Sequence, residues 1–325
     1  MKDADLPMVS ICMPVYNEEN DLKKISLPSI FKQDYPRNKI EVLIVDDYST
    51  DKTVEVARKF GCKILKNGAK DNETGRNIGY KKAKGKLFMC LDADMAFATK
   101  DFLRKMVKPF IEDSRIAGNF ICFKPNTKQP ALTRCISYDP FQRDPIYKIV
   151  SIGPEKIIKE KKDGWYLCEC DKDTIPPQGC MIYRKELVKG YSESHIQLTD
   201  NEIPAYLVHK GYKYFAFVPS TGVEHWIFKS LKEIWFKRAR NIEIYSRIAD
   251  KRVFKWFRLK KDWPKATLWM IYTNSFILPI MSSIYKSFKY KDVALLSEPI
   301  LNLVSTYSIV YHTLYSGKIF KILQL

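Results

Sequence analysis

From Val9 to about Gly118, short apolar runs alternate with stretches whose apolar residues recur at helical spacing, the form taken by repeated strand and helix units on a parallel sheet. Residues 9–15, 40–45 and 87–91 are apolar without alternation, which predicts strands covered on both faces. Residues 21–33 and 51–60 predict helices between them; Ser49, Thr50 and Asp51 offer N-cap oxygens to the second, and Gly61 closes it. A doubly wound, nucleotide-binding α/β architecture follows. Residues 137–174 are rich in charge, Pro and Gly and keep no period, which predicts a long active-site loop region. Order returns with an expected strand over 177–183, a capped helix over 199–209 and a strand over 212–218.

The pattern changes after Trp226. Residues 226–265 hold thirteen Lys or Arg against four acidic residues, interleaved with Trp235, Phe236, Trp256 and other large aromatics. Basic residues alternating with aromatic rings suit a membrane interface. Residues 267–285 and 299–317 then run nineteen positions each without Asp, Glu, Lys or Arg, near the minimum for spanning a bilayer. Lys286, Lys289 and Lys291 between them would fall outside in a spanning hairpin, against the positive-inside tendency, so shallow or re-entrant helices are the alternative.

The net charge of +18 over 325 residues makes anionic partners the expected ones: nucleotide phosphates, lipid headgroups or nucleic acid. Because the excess charge is concentrated beside the apolar C-terminal segments, lipid is favoured and no nucleic-acid partner is expected. Eight cysteines without a CxxC pair read as reduced core thiols of a cytosolic protein, including Cys168 and Cys170. The polar start Met1-Lys2-Asp3 predicts no secretory signal.

Leu91-Asp92-Ala93-Asp94 places two carboxylates one residue apart at the expected C-terminal end of a buried strand, where open α/β sheets bind ligands. Both can face one divalent cation, Mg2+ or Mn2+, able to bridge a diphosphate. Asp46-Asp47 follows another apolar strand, where one acid can cap the next helix and the other accept hydrogen bonds from a ribose or base. The first strand ends in Pro14-Val15-Tyr16-Asn17-Glu18: Pro14 stiffens the exit, Tyr16 offers a ring to a base, and Glu18 can reach the ribose.

Pro14-X-Tyr16-Asn17-Glu18-Glu19, Val45-Asp46-Asp47-X-Ser49-X-Asp51-X-Thr53, Gly75-Arg76-Asn77-X-Gly79 and Asp92-X-Asp94, in that order, resemble family 2 of the glycosyltransferases, an inverting group with a GT-A fold. The resemblance covers roughly residues 7–245. It implies that Pro14, Tyr16, Glu18 and Asp47 surround a nucleotide, that Arg76 and Asn77 approach it, that Asp94 is the chief metal ligand, and that Asp92 contacts ribose or metal. Gly179 to Glu186 is similar to the family's acceptor-side strand. Thr199-Asp200-Asn201-Glu202 looks like its Glu-Asp-X-Glu base motif; Thr199 replaces the first acid, which places the role on Asp200. His225 aligns with a His that can complete the metal shell or contact the diphosphate, and Arg238 and Arg240 with a basic segment near the leaving diphosphate.

The expected organisation is a GT-A domain over 1–225, with a nucleotide-sugar half (1–118) and an acceptor half (119–225). Basic and aromatic interface helices over 226–265 and a hydrophobic helical hairpin over 266–325 follow it. The expected function is metal-dependent transfer of a sugar from a nucleotide diphosphate, UDP before GDP, at the cytoplasmic face of the cell membrane. A base at Asp200 favours a hydroxyl on a lipid-linked glycan over a polyprenyl or dolichyl phosphate, which is already anionic. A non-catalytic nucleotide-sugar or lipid-binding scaffold is the reading from another class.

Overall fold

The structure is a computed structural model that describes residues 2–69, 71–143, 145–176, 180–190, 202–248 and 259–316. The chain forms two compact units, one of residues 1–124 and 154–225, the other of residues 125–153 and 226–325. Residues 125–153, expected with the acceptor half, thus group with the C-terminal region instead.

The first unit is built on a nine-stranded sheet of order β3-β2-β1-β4-β9-β6-β10-β8-β7. Its first half contains β1 (Val9–Val15), β2 (Ile40–Asp46), β3 (Lys63–Lys66) and β4 (Leu87–Cys90). These four strands are parallel, with Val9 opposite both Ile40 and Leu87. Every residue of β1 is buried, as its apolar run, interrupted only by Ser10, requires of a central strand covered on both faces. From β1 the chain crosses to β2 and β3 on one side, then returns to β4 on the other. The order therefore reverses between β1 and β4, and a crevice opens at the carboxyl ends of these strands.

Beyond β4 the sheet is mixed. β9 (Met181–Arg184) runs antiparallel to β4 and to β6 (Gly118–Phe120), while β10 (Tyr214–Phe217) is parallel to β6. β7 (Ile158–Lys161) and β8 (Tyr166–Glu169) form a hairpin at the far edge. That hairpin, with helix Pro145–Val150 and the 3-10 turn Pro154–Lys156 before it, corrects the expected loop over 137–174. β7 is an edge strand with Lys159, Glu160 and Lys161 exposed, so charge that blunts the edge hid the strand.

The first helical stretch runs through Glu19–Asp21, a π segment Leu22–Ser26 and Leu27–Phe31. Pro28 has no N–H for residue 24, and the wider π turn lies directly ahead of it. Helix Thr53–Lys59 ends at Gly61, whose φ of +73° is the left-handed C-cap that glycine favours. Gly79, on helix Asn72–Lys82, allows a close approach to the sheet: a Cβ there would lie 2.1 Å from Cys12 Sγ on β1. All eight cysteines are free, and all but Cys62 are buried. Burial pushes the Cys168 thiol up to about 12 and raises that of Cys170 too, as befits core thiols.

In the second unit, helices Leu231–Ile248, Leu259–Asn274, Ile277–Tyr290 and Glu298–Tyr315 account for most of the described residues. The apolar run 267–285 is not one helix. It breaks at Phe276, whose φ is +52°, so the expected hairpin is three helical pieces among the described residues. One helical stretch, Val293–Tyr315, is long and apolar enough to cross a membrane by length and composition. Leu301 from its helix packs with Ile136, Phe228 and Ile234 in a small core.

Candidate active site

The carboxyl ends of β2, β1 and β4 stand side by side. The N–H of Asp47 donates to the Val15 carbonyl at 3.0 Å, and that of Leu91 to the Cys12 carbonyl at 2.9 Å, so the three exits leave from one edge. Asp46 is buried and accepts the Ser49 N–H on both oxygens at 3.3 Å. It shapes the turn, while Asp47 follows the strand on the exit itself.

The loop after β1 is fastened to the loop after β2. The N–H of Asn17 donates to Ser49 Oγ at 2.9 Å, that of Glu18 to Thr53 Oγ1 at 2.7 Å, and that of Glu19 to Asp51 at 3.2 Å. In return Asn17 Oδ1 accepts the Thr50 N–H at 2.8 Å, and Asn17 itself takes a left-handed φ of +56°. Asp51 also accepts the Thr53 N–H at 2.9 Å, so it, rather than Ser49 or Thr50, serves the start of helix Thr53–Lys59. Clamped in this way, the loop presents the Tyr16 ring at 58% exposure.

Helix Asn72–Lys82 opens at Asp71, which accepts the Thr74 N–H at 2.6 Å, and it is seated by glycines. A Cβ on Gly75 would lie 3.0 Å from Pro14 Cβ. That seating buries Arg76, whose guanidinium donates to Asp92 at 3.4 Å, while Asn77 is half-buried beside it in sequence.

Past β4 the chain turns, the Met95 N–H donating to the Asp92 carbonyl at 3.1 Å, and enters β5 (Met95–Phe97). β5 pairs antiparallel with β11 (Val223–His225), with His225 opposite Met95. This two-stranded ribbon brings His225 Nε2 to 3.4 Å from Asp94 across more than a hundred residues of sequence. Gly222 sets the approach: a Cβ there would lie 1.9 Å from the Cys122 carbonyl oxygen. Ligand atoms of Asp92, Asp94 and His225 all lie within 4.8 Å of one another.

Two donors on opposite sides of Mg2+ or Mn2+ stand roughly 4.0–4.4 Å apart, so these three fit one such ion with small side-chain adjustments. The carboxylate pair suits either hard ion, and the imidazole favours Mn2+ over Mg2+. The local field agrees with that fit. Burial, followed by the charge of Asp21 and then Asp94, pushes Glu18 up to about 7. In a chain of net charge +18, acids crowd this edge with Arg76 as the cation paired to Asp92.

Asp200, with Thr199, lies outside the described residues; in sequence it precedes helix Glu202–His209. Arg238 and Arg240 belong to helix Leu231–Ile248 of the second unit. There the Arg238 guanidinium is buried, 5.6 Å from the ring centres of both Tyr147 and Phe228. Sequence reasoning treated Ser49, with Thr50 and Asp51, as helix-start residues and gave no role to Asn17 or Thr53 beyond their place in the motifs. Their alternate spacing was visible, but the loop they hold was not.

The family model "Glycosyl transferase family 2" matches residues 10–191, more than half of the chain. The glycosyltransferase AglE of Haloferax volcanii is 36% identical over 97 residues, 28% of this chain and 32% of that protein. A Methanococcus voltae enzyme, dolichyl N-acetyl-alpha-D-glucosaminyl phosphate 3-beta-D-2,3-diacetamido-2,3-dideoxy-beta-D-glucuronosyltransferase, is 33% identical over 121 residues, 34% of this chain and 37% of that protein. The matched segments thus span about a third of these relatives' length. Among solved structures, a mannosyltransferase from Pyrobaculum calidifontis in complex with GDP-Man and Mn2+ superposes with a TM-score of 0.56 at 14% identity, covering 94% of this chain and 88% of the other. That likeness of fold is the expected GT-A architecture. With the motifs at the strand ends and the family match running through them, the chain belongs to glycosyl transferase family 2.

Proposed function

We propose that this chain is an inverting glycosyltransferase that moves a sugar from a nucleotide diphosphate, UDP before GDP, onto a hydroxyl of a lipid-linked glycan at the cytoplasmic face of the cell membrane. The observation that carries the transferase reading is the convergence of Asp92, Asp94 and His225 at the sheet's switch point, beside the clamped loop bearing Tyr16 and Glu18. Asp92, Asp94 and His225 would hold Mn2+ or Mg2+. When bound, such an ion would supply positive charge that stabilises a diphosphate as a leaving group.

The chain's own residues do the rest. Pro14 and Gly75 fix the wall against which the nucleotide rests, and the exposed Tyr16 ring stacks on its base. Glu18 and Asp47 accept from ribose hydroxyls or a base N–H. Arg76, already paired with Asp92, orients that carboxylate and with Asn77 approaches the nucleotide. The diphosphate role of Arg238 and Arg240 rests on the sequence resemblance.

Asp200 takes the proton of the acceptor hydroxyl as its oxygen attacks the anomeric carbon opposite the leaving diphosphate. General-base help of this kind is worth about 10² to 10⁴ in rate. The Methanococcus voltae relative, whose name describes a dolichyl-phosphate-linked sugar acceptor, supports a lipid-linked acceptor here. Asp200→Asn tests the assignment. Turnover should fall at least a hundredfold with donor affinity kept; near-normal turnover would move the acceptor to a polyprenyl or dolichyl phosphate, which needs no base. Loss of nothing on EDTA treatment, with no donor turnover in the parent, would favour the scaffold reading.

A further inference from the structure

The three C-terminal helices of the second unit turn many polar side chains inward and large apolar ones outward. Twenty of the twenty-six large apolar side chains exposed among the described residues fall between Trp263 and Tyr315, and four lie in the first unit. At half exposure twenty such side chains leave on the order of 1,500 Å² of apolar surface, against roughly 300–600 Å² for the largest patch of an ordinary monomer.

The inversion is regular. On helix Glu298–Tyr315 the buried residues are Glu298, Leu301, Asn302, Ser305, Thr306, Ser308 and Thr313, six of the seven polar, and the outward stripe is Ile300, Tyr307, Tyr311 and Leu314. Both stripes follow helical spacing, with the polar one turned inward. On Ile277–Tyr290 the outward stripe is Ile277, Met281, Ile284 and Phe288, whereas Pro279 and Ser283 are buried. On Leu259–Asn274, Asp262 and Thr273 are buried while Trp263, Leu268 and Ile271 are exposed.

Inward polar groups bind one another. Lys286 Nζ meets both oxygens of Glu298 at 2.6 and 2.7 Å, Trp269 Nε1 donates to Thr306 Oγ1 at 2.8 Å, and Thr273 and Thr306 hydroxyls lie 3.2 Å apart. A water-soluble domain places these groups the other way round, because burying them gains little and exposing Ile277 or Phe288 loses apolar burial. Hydrocarbon reverses that balance.

Length and charge decide how deep such a surface goes. Helix Ile277–Tyr290 has 14 residues and Leu259–Asn274 has 16. At 1.5 Å per residue they reach about 21 and 24 Å, short of the roughly 30 Å hydrocarbon core; the third stretch, Val293–Tyr315, is long enough to cross by length, but 44% of its apolar window is buried inside the protein. Between them Phe276 and Ile277 project at 57% and 67% exposure, while Lys286, Lys289 and Lys291 gather near the other end of the second helix. The thirteen basic residues of 226–265 precede this surface in the chain and match an anionic headgroup layer.

We infer that the outward apolar stripes of these three helices sink into a single leaflet of an anionic bilayer, so that the second unit is monotopic and does not span. The inference deepens the membrane part of the proposed function and is independent of the donor-site assignment. The test is flotation of the full chain with vesicles of phosphatidylcholine, with and without a third of phosphatidylglycerol.

The parent chain floats with the anionic vesicles, and the triple variant Ile277→Asp/Met281→Asp/Ile284→Asp loses at least tenfold in bound fraction. Phe288→Asp alone gives an intermediate loss, which guards against a misfolded triple variant. Ile111→Asp, an exposed apolar position of the first unit, floats like the parent. UDP binding with Mn2+ stays unchanged in all variants, so failure of the membrane inference and failure of the donor site are read separately. Phe276→Trp fluorescence is quenched more by lipid brominated near the headgroup than near the chain end. Unchanged flotation of the stripe variants would overturn the inference. So would stronger quenching by the deep bromolipid, or a vesicle-free dimer that the triple variant dissociates.

Discussion

Replacing Glu18 by Gln removes the acid most strained by the crowding at the sheet edge. Burial first, then the neighbouring Asp21 and Asp94 charges, holds Glu18 at about 7 instead of 4.5 in the folded chain. Below pH 4.5 the carboxyl is protonated whether the chain is folded or not, and it costs nothing. As pH rises from 4.5 to about 7 the unfolded chain ionises Glu18 while the folded chain resists, so stability falls across that window and levels off above it. The full shift corresponds to roughly 3.4 kcal/mol, and halving it for solvent screening at a half-buried site leaves about 1.7 kcal/mol.

Glu18→Gln should therefore melt at the parent's temperature at pH 4.5 and roughly 3–6 °C higher at pH 8, measured by thermal unfolding without divalent cation. Adding Mn2+ should shrink the gap at pH 8, because a cation beside Asp94 offsets the same repulsion. A gap that is equal at both pH values, or that opens toward acid, would refute this reading of the local field.

Two glycines carry independent predictions. Gly79→Ala drives a Cβ to within 2.1 Å of Cys12 Sγ, and overpacking of this kind costs about 1–3 kcal/mol, more than the gain of about 1 kcal/mol in helix propensity. Chemical denaturation should show the loss, and adding Cys12→Ala should recover most of it. Gly222→Ala meets backbone, the Cys122 carbonyl at 1.9 Å, and has no side chain to displace. Strand β11 must shift and carry His225 from Asp94, so stabilisation by Mn2+ in thermal-shift titrations should drop while the metal-free melting point moves less.

The parallel half of the fold was legible because its strands are buried on both faces: the run Val9–Val15 appears in the structure with the same ends. β7 escaped notice because its Lys and Glu residues are there to protect an edge. The three-residue strands β5 and β11 carry too little local pattern to be read, yet they bring His225 to Asp94. The Asp-X-Asp pair was visible from two residues and His225 through the family resemblance, whereas the 3.4 Å approach of His225 to Asp94 depended on a pairing between distant segments. At the C-terminus, composition revealed apolar runs but not which face turned outward, which the burial of Glu298 and Asn302 shows.

In the proposed function Asp92, Asp94 and His225 jointly hold a divalent ion that in turn holds a nucleotide diphosphate. Calorimetric titration of UDP into the full chain and into Asp94→Asn, each with Mn2+ and with EDTA, tests this. EDTA should weaken UDP binding to the parent at least a hundredfold, and Asp94→Asn should bind UDP equally weakly with or without Mn2+. Equal UDP affinity with Mn2+ and EDTA in the parent chain, or a Mn2+ effect that survives in Asp94→Asn, would contradict it.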